Sequence, residues 1–368
     1  MQRNISVMIK PSSSKCNLKC KYCFYNSIAD EREISDYGFL SEEDLEVIVS
    51  RIEEYCDGGF CNMGFQGGEP MLIGLDFYKK LVELTSSKKT KFNFMIQTNG
   101  TLITEEFAKF FYDNKFLVGV SLDGSKEIHN LNRINYSGNG SYNDVMKGIA
   151  LLKKHNVDFN ILVVVTSALS KKIESCYKFL RKNEFNYIQF IPFIEALDDC
   201  NSNNLNFALT SKQYENYMKK LFDMWYEDVS KGNMVSIRYF DNILGLFLGR
   251  DYEACDMRGI CSCQHIIESD GRVYPCDFYT YEKYSIGNIF DEGFHQMHEK
   301  ELTRNFIIKS VTTDAKCNKC KYISLCRGGC KRHREITEDN RYKFCEASYN
   351  FFEYSYDRFR ELAMRMLN

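Results

Sequence analysis

The sequence predicts an α/β protein whose first part is a partial (β/α)6 barrel, TIM-like but open on one side, followed by a smaller cysteine-rich domain. Three observations carry this. Six strand-like apolar runs alternate with amphipathic helical runs, two short of the eight strands that close a TIM barrel. The sixteen cysteines fall mainly into an N-terminal trio and a C-terminal field. A chain of 368 residues is too long for one small core, so two domains are expected, residues 1–234 and 235–368.

Residues 5–11 (ISVMIKP) form the first strand. The cysteine trio follows at its C-terminal end, where parallel α/β barrels carry their chemistry. Ser41 is a good N-cap with Asp44 three residues on, opening a helix through Leu45, Ile48 and Ile52. The second strand, 61–66, ends in Gly67, Gly68, Glu69 and Pro70. A glycine pair there marks a turn or a place where backbone approaches a ligand closely. Helix 77–84, strand 91–98, helix 104–114 and strand 117–122 follow, and helix 143–155 sets Val145, Ile149 and Leu152 on one face. Strand 159–165 (FNILVVV) is nearly all apolar, as a parallel strand buried on both faces requires. Helix 173–181 and strand 187–193 complete the alternation. Residues 194–210 are polar and asparagine-rich, 213–229 is an amphipathic helix, and 236–240 (SIRYF) is strand-like. Asp270 and Gly271 between two β-rich runs signal a hairpin.

A net charge of −2 argues against nucleic acid and anionic membrane surfaces as partners. Mean hydropathy is −0.39, and no apolar run is long enough to span a bilayer. The N-terminus lacks a signal-peptide pattern, so a cytoplasmic protein is expected. Its cysteines should then be reduced, and metal binding outranks disulfides.

Cys16, Cys20 and Cys23 are spaced C-x3-C-x2-C. Three thiolates on one tight loop can hold three irons of a [4Fe–4S] cube and leave the fourth iron open, unlike ferredoxin runs closed by a fourth cysteine. Structural zinc needs four ligands, and no histidine sits near this loop. Three neighbouring thiols cannot all pair as disulfides. In the second field, the C-x2-C pair and its neighbours suit either zinc or iron–sulfur chemistry. Cys56, Cys61, Cys176, Cys200 and Cys263 are left over. Cys61 and Cys176 lie in apolar patterns and read as core residues.

The trio, with Tyr22 just before its last cysteine, resembles the cluster loop of radical S-adenosylmethionine enzymes. The resemblance implies that the open iron binds S-adenosylmethionine, and that the 5′-deoxyadenosyl radical formed from it takes a hydrogen atom from substrate. It also assigns cofactor contacts to Tyr22, to Gly68 through its backbone, to Ser121, to Arg133 at the carboxylate, and to Ile194 against adenine. The second field is similar, gap by gap, to the SPASM extension of such enzymes, which makes the smaller domain a SPASM iron–sulfur domain. That implies one auxiliary [4Fe–4S] cluster on Cys255, Cys261, Cys276 and Cys330, and another on Cys317, Cys320, Cys326 and Cys345, three clusters in all. Cys263 is close to these ligands in sequence and is an alternative one. Asp277, directly after Cys276, is the candidate catalytic base.

Longer runs narrow the family. KPSSSKCNLKCKYCFYNS, FQGGEP, QTNGTLI, HNLNR, VSIRYFD and ESDGRVYPCDFY are similar to anaerobic sulfatase-maturating enzymes over nearly the whole chain. Membership implies oxidation of a Cys or Ser side chain in an unfolded or nascent sulfatase to Cα-formylglycine, by Cβ hydrogen abstraction. It also implies an electron donor such as flavodoxin or ferredoxin. Segment 195–206, near the barrel mouth, is expected to meet the substrate peptide. The alternative is a related maturase that forms a thioether or carbon crosslink in a short precursor. A precursor-binding domain often precedes the barrel in such maturases, and Cys16 comes too early to leave room for one. A non-catalytic electron carrier would not need GGEP, Ser121 and Arg133 around an open iron.

Overall fold

β1 (Asn4–Lys10) buries Ile5, Val7 and Ile9, the alternate residues of its apolar run. In the computed structural model, which describes residues 2–197, 206–312 and 314–367, this strand opens a parallel series. It pairs with β2 (Phe60–Phe65), β2 with β3 (Lys91–Thr98), and β3 with β4 (Leu117–Ser121). All four match the predicted strands to within one residue at either end. Helices Glu42–Cys56, Leu75–Ser86 and Glu105–Asp113 connect them. The first starts on a full capping box, with the Ser41 hydroxyl accepting from Asp44 N–H and the Asp44 carboxylate accepting from Ser41 N–H.

The chain divides into two units, one made of Met1–Leu122, Asn130–Phe159 and Cys263–Phe306, the other of Asp123–His129, Asn160–Ser262 and Ile307–Asn368. The second carries β5 (Phe159–Val165) from its second residue on, paired in parallel with β6 (Tyr187–Pro192), which pairs with β7 (Ser236–Ile237). Both longer strands stand where the sequence predicts them. The strand-like reading of 236–240 is corrected: only Ser236 and Ile237 are extended, and helix Arg238–Phe247 follows. Phe240, Ile243 and Leu244 recur at helical spacing and are buried, and Phe240 packs against Trp225 and Phe351. The long helices Ser211–Ser230 and Cys345–Leu367 share that aromatic core through Phe222 and Phe359, whose ring centroids are 4.8 Å apart.

The chain returns to the first unit as β8 (Ile266–Glu268), β9 (Arg272–Tyr274) and β10 (Gly287–Asn288). The predicted hairpin at Asp270 and Gly271 joins β8 and β9 antiparallel, and β10 pairs antiparallel with β9. Gly271 has φ +82°, and a Cβ there would meet the Phe290 ring at 2.4 Å, so the turn requires glycine. β8 lies parallel against the free edge of β1, in the register Met8–Ile266, Ile9–Ile267 and Lys10–Glu268. Cys61 and Cys176 are fully buried, as expected, and so is Cys56. Cys200 lies outside the described residues, as does most of segment 195–206. Among the described residues no helix is long and apolar enough to cross a membrane.

Candidate active site

The chain leaves β1 at Lys10 and turns into the cysteine loop. Lys19 N–H donates to the Ile134 carbonyl at 2.7 Å, Lys21 N–H to the Asn132 carbonyl at 3.0 Å, and Leu18 bridges Asn135. The Cys16 sulfur accepts from Leu18 N–H at 3.4 Å and faces the Asn99 side-chain amide at 3.9 Å. Cys20 and Cys23 lie within electrostatic reach of it. Burial, helped by the nearby Glu69 carboxylate, pushes the Cys16 thiol up to about 12. Burial also raises Cys23. The backbone N–H groups of Asn26 and Tyr25, then Arg133 and Lys10, oppose that rise electrostatically, without an aligned capping bond. Thiols held up in this way lose their protons to a bound cation rather than to water at neutral pH. Three thiols, N–H groups directed at sulfur and nearby cationic side chains fit an iron–sulfur cluster.

The GGEP turn closes over the start of this loop. Gly68 N–H donates to the Ser13 carbonyl and Glu69 N–H to the Lys15 carbonyl, at 2.9 and 2.7 Å. A Cβ on Gly68 would sit 2.0 Å from the Lys15 oxygen, so glycine is already required by the approach of the two backbones. Glu69 is completely buried. Burial pushes its carboxyl up to about 7 against hydrogen bonds from Asn99 N–H, Thr98 Oγ1 and Met71 N–H. It therefore ties the end of β2 to the end of β3, and Asn99 passes the connection on to Asn17 at 2.8 Å.

Arg133, which the loop's backbone pairing brings alongside, is buried. Its guanidinium lies 5.4 Å from the centroid of the buried Tyr22 ring, and its carbonyl accepts from Ser141 N–H and Oγ. Ser121 ends β4 half-buried. Ile194 follows β6 in the second unit, also half-buried.

Asp277 stands just past β9, in the first unit with the cysteine loop. Its Oδ1 is 2.7 Å from the ammonium of Lys10, and its Oδ2 accepts from Gln66 Nε2 at 2.9 Å. The Lys10 contact is electrostatic rather than an aligned hydrogen bond. Lys10 is fully buried, 3.6 Å from the centroid of the Tyr25 ring and 3.9 Å from Glu268. Glu268 in turn accepts from Arg32 at 2.7 Å and from the Tyr25 hydroxyl at 2.6 Å. Two cations and two carboxylates thus balance in a low-dielectric site, where an unpaired charge would cost several kcal/mol. Phe24, next to Cys23, packs edge-on against Phe278, next to Asp277, at 5.2 Å.

The second cysteine field falls on both units. Cys317, Cys320, Cys326 and Cys345 are all in the second unit, and the Cys326 thiol feels the other three. Burial is the larger effect and pushes Cys326 up to about 12. Cys255, Cys261 and Cys330 form a second group there, again within electrostatic reach of one another. Cys276 ends the β9 segment in the first unit. The described cysteines are all free thiols. Four thiols around one point suit a four-iron cube and a zinc ion alike.

Comparison with known proteins separates these. Residues 11–180 match the radical SAM superfamily model, and residues 255–330 match SPASM, an iron–sulfur cluster-binding domain. The cysteine-type anaerobic sulfatase-maturating enzyme of Clostridium novyi (strain NT) is 44% identical over 359 residues, 95% of each chain. The chain belongs to the anaerobic sulfatase-maturating enzymes. A serine-type relative from Bacteroides thetaiotaomicron is more distant, 32% identical over 372 residues, covering 95% of this chain and 88% of its own. The solved structure of native anSMEcpe with bound AdoMet and Cp18Cys peptide superimposes with a TM-score of 0.92 at 42% identity, over 99% of this chain and all of that one. The fold is therefore the open radical SAM barrel with its SPASM domain, and the chain is a radical SAM oxidoreductase with iron–sulfur sites.

For this sulfatase-maturating enzyme, sequence reasoning missed Lys10, Gln66 and Glu69. Lys10 lies within the apolar run ISVMIKP, and a lysine between Ile9 and Pro11 is a signal of a buried charge in search of a partner. Gln66 and Glu69 flank the glycine pair of the turn.

Proposed function

We propose that this enzyme oxidises a cysteine side chain in an unfolded or nascent sulfatase to Cα-formylglycine. The observation that carries the reading is the Asp277 carboxylate, clamped by Lys10 and Gln66 in the unit that holds the cysteine loop. When bound, S-adenosylmethionine and its cluster would supply the radical chemistry that takes one Cβ hydrogen atom from the target residue. Asp277 accepts the thiol proton of the same residue through whichever oxygen lone pair its two clamps leave open. Loss of the hydrogen atom, the proton and one further electron leaves a thioaldehyde, which water hydrolyses to the aldehyde and hydrogen sulfide. Lys10 and Gln66 fix where the carboxylate points, and the buried Tyr25–Glu268–Arg32 group holds Lys10 in turn.

The cofactor contacts in this reading are Tyr22 and Arg133, with Gly68, Ser121 and Ile194. Cys16, Cys20 and Cys23 hold the cluster that binds S-adenosylmethionine. Two further [4Fe–4S] clusters fall to Cys317, Cys320, Cys326 and Cys345, and to Cys255, Cys261 and Cys330 with Cys276, which gives three. Such clusters would offer the second electron a way out to a carrier such as flavodoxin or ferredoxin. The barrel domain is taken as residues 1–234 and the SPASM domain as 235–368, in a cytoplasm reducing enough to keep free thiols.

The cysteine preference is supported by the higher identity to the cysteine-type relative, 44% against 32%. Mass spectrometry of paired sulfatase-derived peptides, one with Cys and one with Ser at the target, tests it. The Cys peptide should be converted to the aldehyde faster, and equal or reversed rates contradict the preference.

A further inference from the structure

At the start of β1 and β8, the opposite end of these strands from Lys10, three metal-binding side chains converge. Cys263 and His265 immediately precede β8, and His298 lies on helix Phe294–Glu299, all in the first unit. Their ligating atoms lie within 4.8 Å of one another. The two imidazoles meet through Nε2, 2.6 Å apart, closer than an ordinary N–H···N contact. Behind each ring stands an oxygen. His265 Nδ1 is 2.9 Å from the Ser6 carbonyl, and His298 Nδ1 is 3.5 Å from the Tyr55 hydroxyl. A carbonyl only accepts, so His265 carries its proton on Nδ1. In the neutral ring that leaves Nε2 with a lone pair facing inward.

That arrangement, inner nitrogens turned together and outer nitrogens facing oxygen, is how metal-ligating histidines are held. His265 also sits at φ +48°, a left-handed backbone that non-glycine residues adopt at a cost, and such strain collects at functional sites. The geometry points to a zinc-class divalent metal site on Cys263, His265 and His298, separate from the iron–sulfur ligands, with its fourth position open to water. One thiolate with two imidazoles is a borderline-soft donor set that suits Zn²⁺. The metal would join the start of β8 to helix Phe294–Glu299. It would act as a staple behind the strand that carries Glu268 to Lys10.

The test uses the iron-loaded full-length enzyme, exposed to Zn²⁺ and then freed of loosely held metal by gel filtration. Wild type should retain about one zinc per chain. Its zinc K-edge absorption should show nitrogen scatterers at about 2.0–2.1 Å and one sulfur at about 2.3 Å. Cys263→Ser and His298→Ala should each lose most of that zinc and keep their iron. Zinc should raise the unfolding midpoint of wild type and of neither variant. Three results overturn the proposal: no retained zinc in wild type, a shell of sulfur alone, or zinc unchanged in both variants. The wild-type shell decides the matter even if a variant folds poorly.

Discussion

Replacing Cys16, Cys20 and Cys23 together by Ala should abolish S-adenosylmethionine cleavage and leave roughly eight of about twelve irons per chain, the content of two four-iron clusters. The loop's backbone is held by Ile134 and Asn132, and its entrance by the GGEP turn, none of which involves the three side chains. The variant should therefore fold. It loses the thiols whose protons a metal must displace, and with them the site itself. Iron analysis and deoxyadenosine release, measured on one preparation, check both halves. Wild-type enzyme that holds stoichiometric zinc and never more than one cluster contradicts the count, and a triple variant that still cleaves the cofactor contradicts the assignment.

Asp277→Asn should retain every cluster and still cleave S-adenosylmethionine, while formylglycine formation falls by about 10²-fold or more, the usual scale for losing a general base. The substitution keeps the shape of the side chain. Lys10 can still meet the amide oxygen, and Gln66 can turn its own amide to present oxygen to the new N–H₂. Lys10 also keeps the Tyr25 ring at 3.6 Å and Glu268 at 3.9 Å. What goes is the capacity to take a proton after the Cβ hydrogen has left. Separate assays of deoxyadenosine and of peptide aldehyde read the two steps apart. Aldehyde formed at the wild-type rate would show that Asp277 is not the base.

Much of this was legible locally. The strands declared themselves by apolar runs of the right length, and the cysteine loop by its spacing at a strand end. The Asp270–Gly271 turn showed because only glycine suits that φ. What failed to show was long-range. β8 pairs with β1 more than two hundred residues away, and nothing local in either strand announces the partner. Lys10, Gln66 and Glu268 consequently showed no link to one another or to Asp277. Segment 236–240 misled because five residues of mixed polarity fit either period. The helical spacing emerges only when Ile243 and Leu244 are counted with Phe240. The burial of Arg133 was not legible, because the backbone pairing around it, between residues 18–21 and 132–135, has no pattern of its own.

The most direct measurement follows a sulfatase-derived peptide whose target cysteine carries deuterium at Cβ. The iron-loaded enzyme would be incubated with reductant and S-adenosylmethionine, and both products analysed by mass spectrometry. An aldehyde is expected in place of the thiol-bearing carbon at that residue alone, with deuterium delivered to 5′-deoxyadenosine. Deoxyadenosine free of deuterium, or a peptide returned intact or crosslinked through its sulfur, would contradict it.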